Sequence, residues 1–238
     1  MSTPPDRDHD QPFASNLQHI STHWTAVSNP SRFVTRYGGA VRAYLRALLP
    51  TADDADEVQQ DFLLHVVANG FPTVAPGRGH FRHYLITCVK NAALAYLRKR
   101  TRRPLEIADL SQLPSASSAN DRWRATWREC VLQNCWNGLR EHQKRNPGNL
   151  FHAVLKASVE HADDDSTTLA ARVASVTGHP LSPEAFRKQL SRARRRFAEI
   201  LVEEVASTIT NVTPELLEEE LRDLELFVYV ETLLKEDR

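Results

Sequence analysis

"TLAARVASVTGHPLSPEAFRKQLSRARRRFAEILVEEV", residues 168–205, contains a short helical pattern, a turn and a longer helical pattern. The short pattern places Leu169, Val173 and Val176 on one side. The glycine and proline of the TGHPLS segment that follows favour a turn. Ser182 then serves as N-cap of the longer pattern, because its hydroxyl can accept a bond from a backbone N–H of the first turn. The stretch therefore predicts a helix-turn-helix, a motif whose second helix can enter the major groove of DNA.

The longer helical pattern has an apolar side and a basic side. Its apolar residues recur at spacings of four, three, four and three, and they are Phe186, Leu190, Ala193, Phe197 and Ile200. Six basic residues and no acid lie between positions 187 and 196. The outward side holds Arg187, Lys188, Ser191, Arg194 and Arg195. Because many helical hairpins share this pattern, DNA binding does not follow from it alone.

A second basic helix is predicted by "FRHYLITCVKNAALAYLRKRTRRP", residues 81–104. Its apolar side consists of Phe81, Tyr84, Leu85, Cys88, Ala92 and Ala95. Six basic residues and no acid occur from Lys90 to Arg103. A Gly- and Pro-rich loop precedes this helix, and before that loop "PTADDADEVQQDFLLHVV" predicts an acidic helix with Thr51 or Asp53 as N-cap.

Acidic and basic residues are segregated, although the chain as a whole is neutral. The 238 residues include 30 basic and 30 acidic side chains, so net charge does not predict nucleic-acid binding. Five acids and no base lie between Asp53 and Asp61, however, opposite in sign to the two basic helices. Such faces suit a protein that binds a polyanion and a second partner at once. Chance clustering on solvated helix faces is the alternative.

The helical patterns divide the chain into two small domains with extensions, and no strand alternation of useful length occurs. We therefore predict an all-α fold. Its segments are a disordered arm (1–15), a helical domain (16–103), a flexible linker (104–121), a second domain (122–206) with the helix-turn-helix (168–205), and an acidic C-terminal helical extension (207–238). We expect the extension to pack on the second domain; screening of the basic helix by its acids is a less favoured alternative.

Several function classes lack support in the sequence. It contains no GxxxxGK[ST], GxGxxG, HExxH or GxSxG motif, so neither an enzyme nor a cofactor or metal site is predicted. There are three cysteines without a CxxC pair, no signal-peptide hydrophobic region, and no apolar run that approaches the ~18 residues of a membrane span. We expect a cytoplasmic protein.

The ordered segments resemble bacterial sigma-70 family sigma factors of the extracytoplasmic-function (ECF) group, over most of residues 30–205. "DADEVQQDFLLHVV" is similar to the helix by which that family binds core RNA polymerase. "GRGHFRHYLITCVKNAALAYLRKR" is similar to its promoter-melting and minus-10 segment, and residues 168–201 resemble its minus-35 helix-turn-helix. The longer turn, the insert at about 121–160 and the acidic C-terminal extension depart from a minimal member.

The resemblance implies two partners, core RNA polymerase and promoter DNA, and raises an anti-sigma factor as a third. Polymerase contacts would come from Asp56, Glu57, Gln59, Gln60 and Asp61. Contacts to the minus-10 and melted DNA would come from Arg82, His83, Thr87, Lys90, Asn91, Arg98, Lys99, Arg100, Arg102 and Arg103. Contacts to the minus-35 duplex would come from Ser182, Glu184, Arg187, Lys188, Ser191, Arg192, Arg194 and Arg195.

Three other functions remain as alternatives. A helix-turn-helix regulator that does not engage polymerase would explain the second domain but leave the first without a purpose. A nucleic-acid enzyme would need carboxylates or a metal cluster beside a basic face, whereas the acids here lie in a separate segment. A degenerate family member that only binds other proteins would not need the basic residues retained in both domains.

Overall fold

Helices account for most of the described chain, and the predicted all-α fold is confirmed. The computed structural model describes residues 29–71, 79–101 and 116–231. These residues form α1 (Pro30–Leu48), α2 (Ala52–Asn69), α3 (Phe81–Thr101), α4 (Ala116–Arg145), α5 (Phe151–Glu160), α6 (Ser166–Thr177), α7 (Pro183–Ala206) and α8 (Pro214–Asp223). Two-residue strands, β1 (Gly79–His80) and β2 (Ile209–Thr210), and a 3₁₀ turn (Phe227–Tyr229) complete them. The predicted arm, residues 1–15, lies outside this part.

Local sequence signals fix several helix ends. The Thr51 hydroxyl accepts the backbone N–H of Asp54 at 3.1 Å, and the Ser182 hydroxyl accepts that of Ala185 at 3.1 Å. The predicted N-cap Ser182 is thereby confirmed, and of the two candidates for α2 it is Thr51 rather than Asp53 that caps the helix. Gly178 ends α6 in the left-handed conformation, with φ of 73°, which a residue with a side chain adopts at a cost. The turn of the predicted helix-turn-helix therefore depends on this glycine.

A first unit comprises the described residues up to Cys130 together with those from Val205 onward. Within it α1 packs along α2, and both contact α3. The start of α4 closes the same core, because the Trp127 ring stacks on Tyr37 with centroids 4.2 Å apart. Trp123 contacts Tyr44 edge-on at 5.7 Å. These buried aromatic contacts explain why the first unit extends past the end of the predicted linker, at residue 121, into the predicted second domain.

The C-terminal segment also belongs to this first unit, so the expectation that it packs on the second domain is wrong. β2 pairs with β1 in antiparallel register, with Gly79 opposite Thr210. The Phe81 N–H at the start of α3 donates to the Thr208 carbonyl at 2.9 Å. The segment also contributes apolar side chains that are almost fully buried, namely Leu217, Leu221, Leu224, Leu226 and Val230. We call residues 209–231 the C-terminal cap.

A second unit spans Val131–Glu204 and contains the helix-turn-helix. α5 packs on α6. The core of this unit is formed by Leu150, Val154, Leu169, Ala170, Val173 and Phe186. The division between the units falls within α4 and α7, whereas the sequence predicted a linker at 104–121 and a domain from 122. Of that linker, residues 104–115 lie outside the described part and Ala116–Asp121 are helical.

Candidate functional site

α2 presents an acidic face with apolar side chains beside it. Glu57, Gln60 and Asp61 are exposed. Leu64 and Val67, on the following turns, are 59% and 49% exposed although they are large and apolar. Exposed aliphatic side chains next to carboxylates are suited to contact with a protein that offers both basic and apolar groups. Three of the five predicted polymerase contacts therefore lie on an accessible surface.

The other two predicted polymerase contacts bond within the first unit. Asp56 lies between two arginines of α1, 3.2 Å from Arg42 Nε and 2.9 Å from Arg46 Nη2. Hydrogen bonds from Arg46 and then Arg42 lower the pKa of this carboxyl. Gln59 Nε2 donates to the Gly38 carbonyl at 3.4 Å. In this conformation both side chains hold α2 against α1.

Near the far end of α3, a network that the sequence analysis missed connects this helix to α2. The Tyr96 hydroxyl donates to Asp54 Oδ1 at 2.7 Å and approaches Glu57 Oε2 at 3.2 Å. Arg100 Nη1 forms an ion pair with the buried Asp54 carboxylate. The hydrogen bond from Tyr96 is the largest of the interactions that lower the pKa of Asp54. One predicted DNA contact, Arg100, thus also stabilises the acidic helix.

α3 exposes a polar face that includes most of the other residues predicted to contact melted DNA. His83, Thr87, Asn91, Arg98 and Lys99 are exposed, and Lys90 is half-buried. Thr87 donates its hydroxyl proton to the His83 carbonyl at 3.1 Å. Polar and cationic groups along one helix can contact both phosphates and unpaired bases. Arg102 and Arg103 lie outside the described residues.

Arg82 differs from its predicted neighbours because it is buried, with 4% of its surface exposed. Its Nε and Nη2 donate to the two carboxylate oxygens of Glu220, at 2.9 and 3.1 Å, and Nη2 also pairs with Asp223. His80 Nδ1 lies 3.0 Å from Glu220 Oε2. Burial alone would raise the pKa of Glu220, but bonds from His80 and Arg82 lower it to about 2. In this conformation DNA cannot reach Arg82.

One group of side chains in the described part of the chain has donor types that could hold a metal ion. Ligand atoms of His83, Glu220 and Asp223 lie within 4.8 Å of one another. The Arg82 guanidinium, however, already binds both carboxylates. A cation at this position would meet that positive charge at short range. The cluster is therefore an ion-pair network rather than a metal centre.

In the second unit, the outward side of α7 is basic and accessible. All eight residues predicted to contact the minus-35 duplex are exposed, namely Ser182, Glu184, Arg187, Lys188, Ser191, Arg192, Arg194 and Arg195. Lys188 pairs with Glu184 at 2.8 Å and Arg195 with Glu199 at 3.4 Å. Surface pairs of this kind contribute little and exchange readily for a phosphate. Among the described residues, Arg187, Arg192 and Arg194 have no acidic partner.

The acidic helix α2 and the basic helix α3 lie together in one segment that matches a protein-family model. Residues 33–103 match sigma-70 region 2. The match covers less than a third of the chain and supports a sigma-70 family factor with a role in promoter recognition by RNA polymerase. No curated protein and no solved structure matches the chain. Within the described ranges no helix combines the length and apolar character needed to cross a membrane.

Proposed function

We propose that the protein is a sigma factor of the ECF group, which binds core RNA polymerase and directs it to specific promoters from the cytoplasm. The observation that carries this proposal is the combination, within the segment matching sigma-70 region 2, of an exposed acidic-apolar face on α2 with an exposed polar-basic face on α3. One face suits a protein partner and the other suits melted DNA.

Each face has a separate task in the proposed mechanism. Glu57, Gln60 and Asp61, with Leu64 and Val67, contact polymerase. Arg98 and Lys99 bind phosphates, while Thr87 and Asn91 lie near the displaced strand. The basic side of α7 binds the upstream duplex in the major groove, where guanidinium groups can donate to guanine. Each step of this mechanism is a binding event, and none requires the chain to form or break a covalent bond.

A second candidate function is a stand-alone DNA-binding regulator. The exposed basic face of α7 favours it, because a helix-turn-helix can bind a duplex without polymerase. The family match ends at residue 103 and does not include this part of the chain. The two candidates differ in whether the protein engages polymerase.

The deciding experiment combines purified protein with bacterial core RNA polymerase and genomic DNA fragments. We expect co-elution with core enzyme and transcription from fragments that core enzyme alone ignores; sequencing the 5′ ends would identify the promoter. Absence of co-elution, together with salt-sensitive duplex binding, would contradict the sigma-factor proposal and favour the stand-alone regulator.

A further inference from the structure

Arg82 lies at the start of the helix proposed to contact melted DNA, yet in this structure its side chain is buried away from the exposed face of that helix. Its guanidinium is buried against the C-terminal cap, where it bonds Glu220 and Asp223. The next residue, His83, is exposed on the same helix. A buried arginine thus lies beside an exposed surface that is proposed to contact DNA.

The groups around the Glu220 carboxylate form an oxyanion-binding site. Arg82 offers two N–H groups to its two oxygens, at 2.9 and 3.1 Å, and His80 Nδ1 approaches one of them at 3.0 Å. This forked geometry fits carboxylate and phosphate equally well. The site lies at the N-terminal end of α3, whose dipole also favours an anion.

The occupant of this site belongs to an acidic helix. Besides Glu220, α8 and its C-terminal end carry Glu215, Glu218, Glu219 and Asp223, against the single base Arg222. Carboxylates of the cap come within 4.8 Å of His83 on the DNA-facing helix. A nucleic-acid phosphate near this end of α3 would therefore meet both repulsion and an occupied arginine.

We propose that Arg82 and His80 form a phosphate site, which the chain's own Glu220 occupies in the free protein and a backbone phosphate of melted DNA occupies after displacement of the cap. The inference rests on the function proposed above. Burial of Leu217, Leu221 and Leu224 makes spontaneous displacement rare, so displacement is coupled to formation of the polymerase–promoter complex.

Removal of the occupant's charge tests the site directly. Glu220→Gln keeps the shape of the side chain and weakens the hold on Arg82. The probe is a duplex with a short single-stranded bubble of mixed sequence, added to the complex of the protein with core polymerase. The measurements are the affinity of that complex for the probe and the salt dependence of the affinity. We expect tighter binding, and a steeper slope of log K against log salt by about 0.7, as for one additional phosphate contact to a single strand.

Two matched variants identify the cause of any gain in affinity for the bubble probe. Glu219→Gln removes the same charge from the exposed side of α8 and should leave the salt slope unchanged. Arg82→Met combined with Glu220→Gln should abolish the gain. If Glu220→Gln binds no more tightly than wild type, or the double variant retains the gain, Arg82 is not a phosphate ligand and the proposal is overturned.

A reversible lock tests displacement without altering the site. Gly79 and Thr210 are paired across the β1–β2 ladder. Opposed residues in such a pair have Cα atoms about 4.5 to 5.5 Å apart, within reach of a disulfide. Gly79→Cys combined with Thr210→Cys should therefore lock the cap under oxidising conditions, while each single variant controls for oxidation of Cys88, Cys130 and Cys135.

The lock should reduce promoter opening by the polymerase complex at least several-fold, and reductant should restore it. Equal opening in the locked and reduced states would show that promoter opening does not require displacement of the cap, which would overturn the proposal. Polymerase capture by the reduced protein, measured in parallel, separates this outcome from a failure of the proposed function, since capture does not depend on Arg82.

Discussion

Glu220 is the residue on which the C-terminal cap most depends, because it is a fully buried carboxylate whose compensation comes from Arg82 and His80. Loss of one partner from a buried ion pair leaves the other charge without compensation, at a cost of about 3–5 kcal/mol. The stability of the first unit should therefore be sensitive to this single position, and to pH through it.

Glu220→Gln is predicted to lower the free energy of unfolding by about 3–5 kcal/mol at neutral pH. The pKa of Glu220, lowered to about 2, makes its contribution present above its ordinary range near 4.5 and lost as pH falls toward 2. Denaturant unfolding from pH 7 to 3 should show the difference from wild type shrinking with acid. A difference that stays constant over this range would contradict the prediction; Glu219→Gln is the control.

The pKa of His80 is a second, independent measure of the contact with Glu220. Its hydrogen bond to Glu220 raises its pKa above the ordinary value, whereas burial opposes the shift. Its contribution is therefore complete below about pH 6.5 and lost as pH rises through the raised pKa. The charged groups around it are Glu219, Glu220 and Arg82. NMR titration should find the His80 pKa lower in Glu220→Gln than in wild type.

The sequence could not predict this cluster, although each member is visible in it. Arg82 was predicted to contact DNA because its segment resembles the minus-10 segment of sigma-70 family factors, and Glu220 belonged to an acidic tail. They are 138 residues apart, and no local period links them. The caps at Thr51 and Ser182 were predictable because each bond spans three residues.

At the scale of elements, acidic and basic faces lie on different helices. α2 exposes Glu57, Gln60 and Asp61, whereas α7 exposes Arg187, Arg192 and Arg194. Helical periodicity predicted the basic side of α7, since side chains three and four apart share a side, whereas the residues of the α2 face were implied by the resemblance to sigma-70 family factors. It did not predict that Asp56 is held by Arg42 and Arg46, because that contact depends on how α1 packs on α2.

Charge reversal on α2 should therefore affect polymerase capture alone. Asp61→Lys is predicted to weaken core polymerase binding at least tenfold while duplex DNA affinity stays within twofold of wild type, because repulsion replaces attraction at one face. Asp61 is preferred to Asp56 for this test, because replacement of Asp56 would also break its ion pairs with Arg42 and Arg46 of α1. Binding to immobilised core enzyme measures the effect, with Asp163→Lys in the second unit as control.

Neutralising α7 should produce the reciprocal result. Arg192→Ala with Arg194→Ala is predicted to reduce the salt slope of duplex binding by up to about two and leave polymerase capture intact. Equal losses of both activities in either variant would contradict the assignment of separate tasks to α2 and α7.

For the whole molecule, the order of units along the chain differs from the predicted order of two successive domains. The first unit contains residues from both ends of the chain, and the second contains Val131–Glu204 between them. Composition suggested the boundary at the Pro- and Ser-rich segment after residue 103, but Trp123 and Trp127 lie beyond it and pack on Tyr44 and Tyr37. Tertiary packing decided the boundary.

A chain cut between residues 102 and 115 is accordingly predicted to remain in one piece. Stacking of Trp127 on Tyr37, the β1–β2 ladder and the Arg82–Glu220 pair all join the two fragments within the first unit. A protease site inserted in this segment, followed by cleavage and size-exclusion chromatography, should give co-eluting fragments. Separate elution would contradict the prediction, and the uncut variant is the control.

The pairing of β1 with β2 also means that the first unit can be completed only after the second unit has been synthesised. A ribosome that adds about 5–20 residues per second needs roughly 7–28 seconds to pass from Arg82 to Glu220. For most of that interval α1, α2 and α3 have already been made while the strand and helix that cover Arg82 have not. The nascent chain thus passes through a stage in which the helix proposed to contact DNA carries an uncovered arginine, and this stage lasts until residues 209–223 have been made.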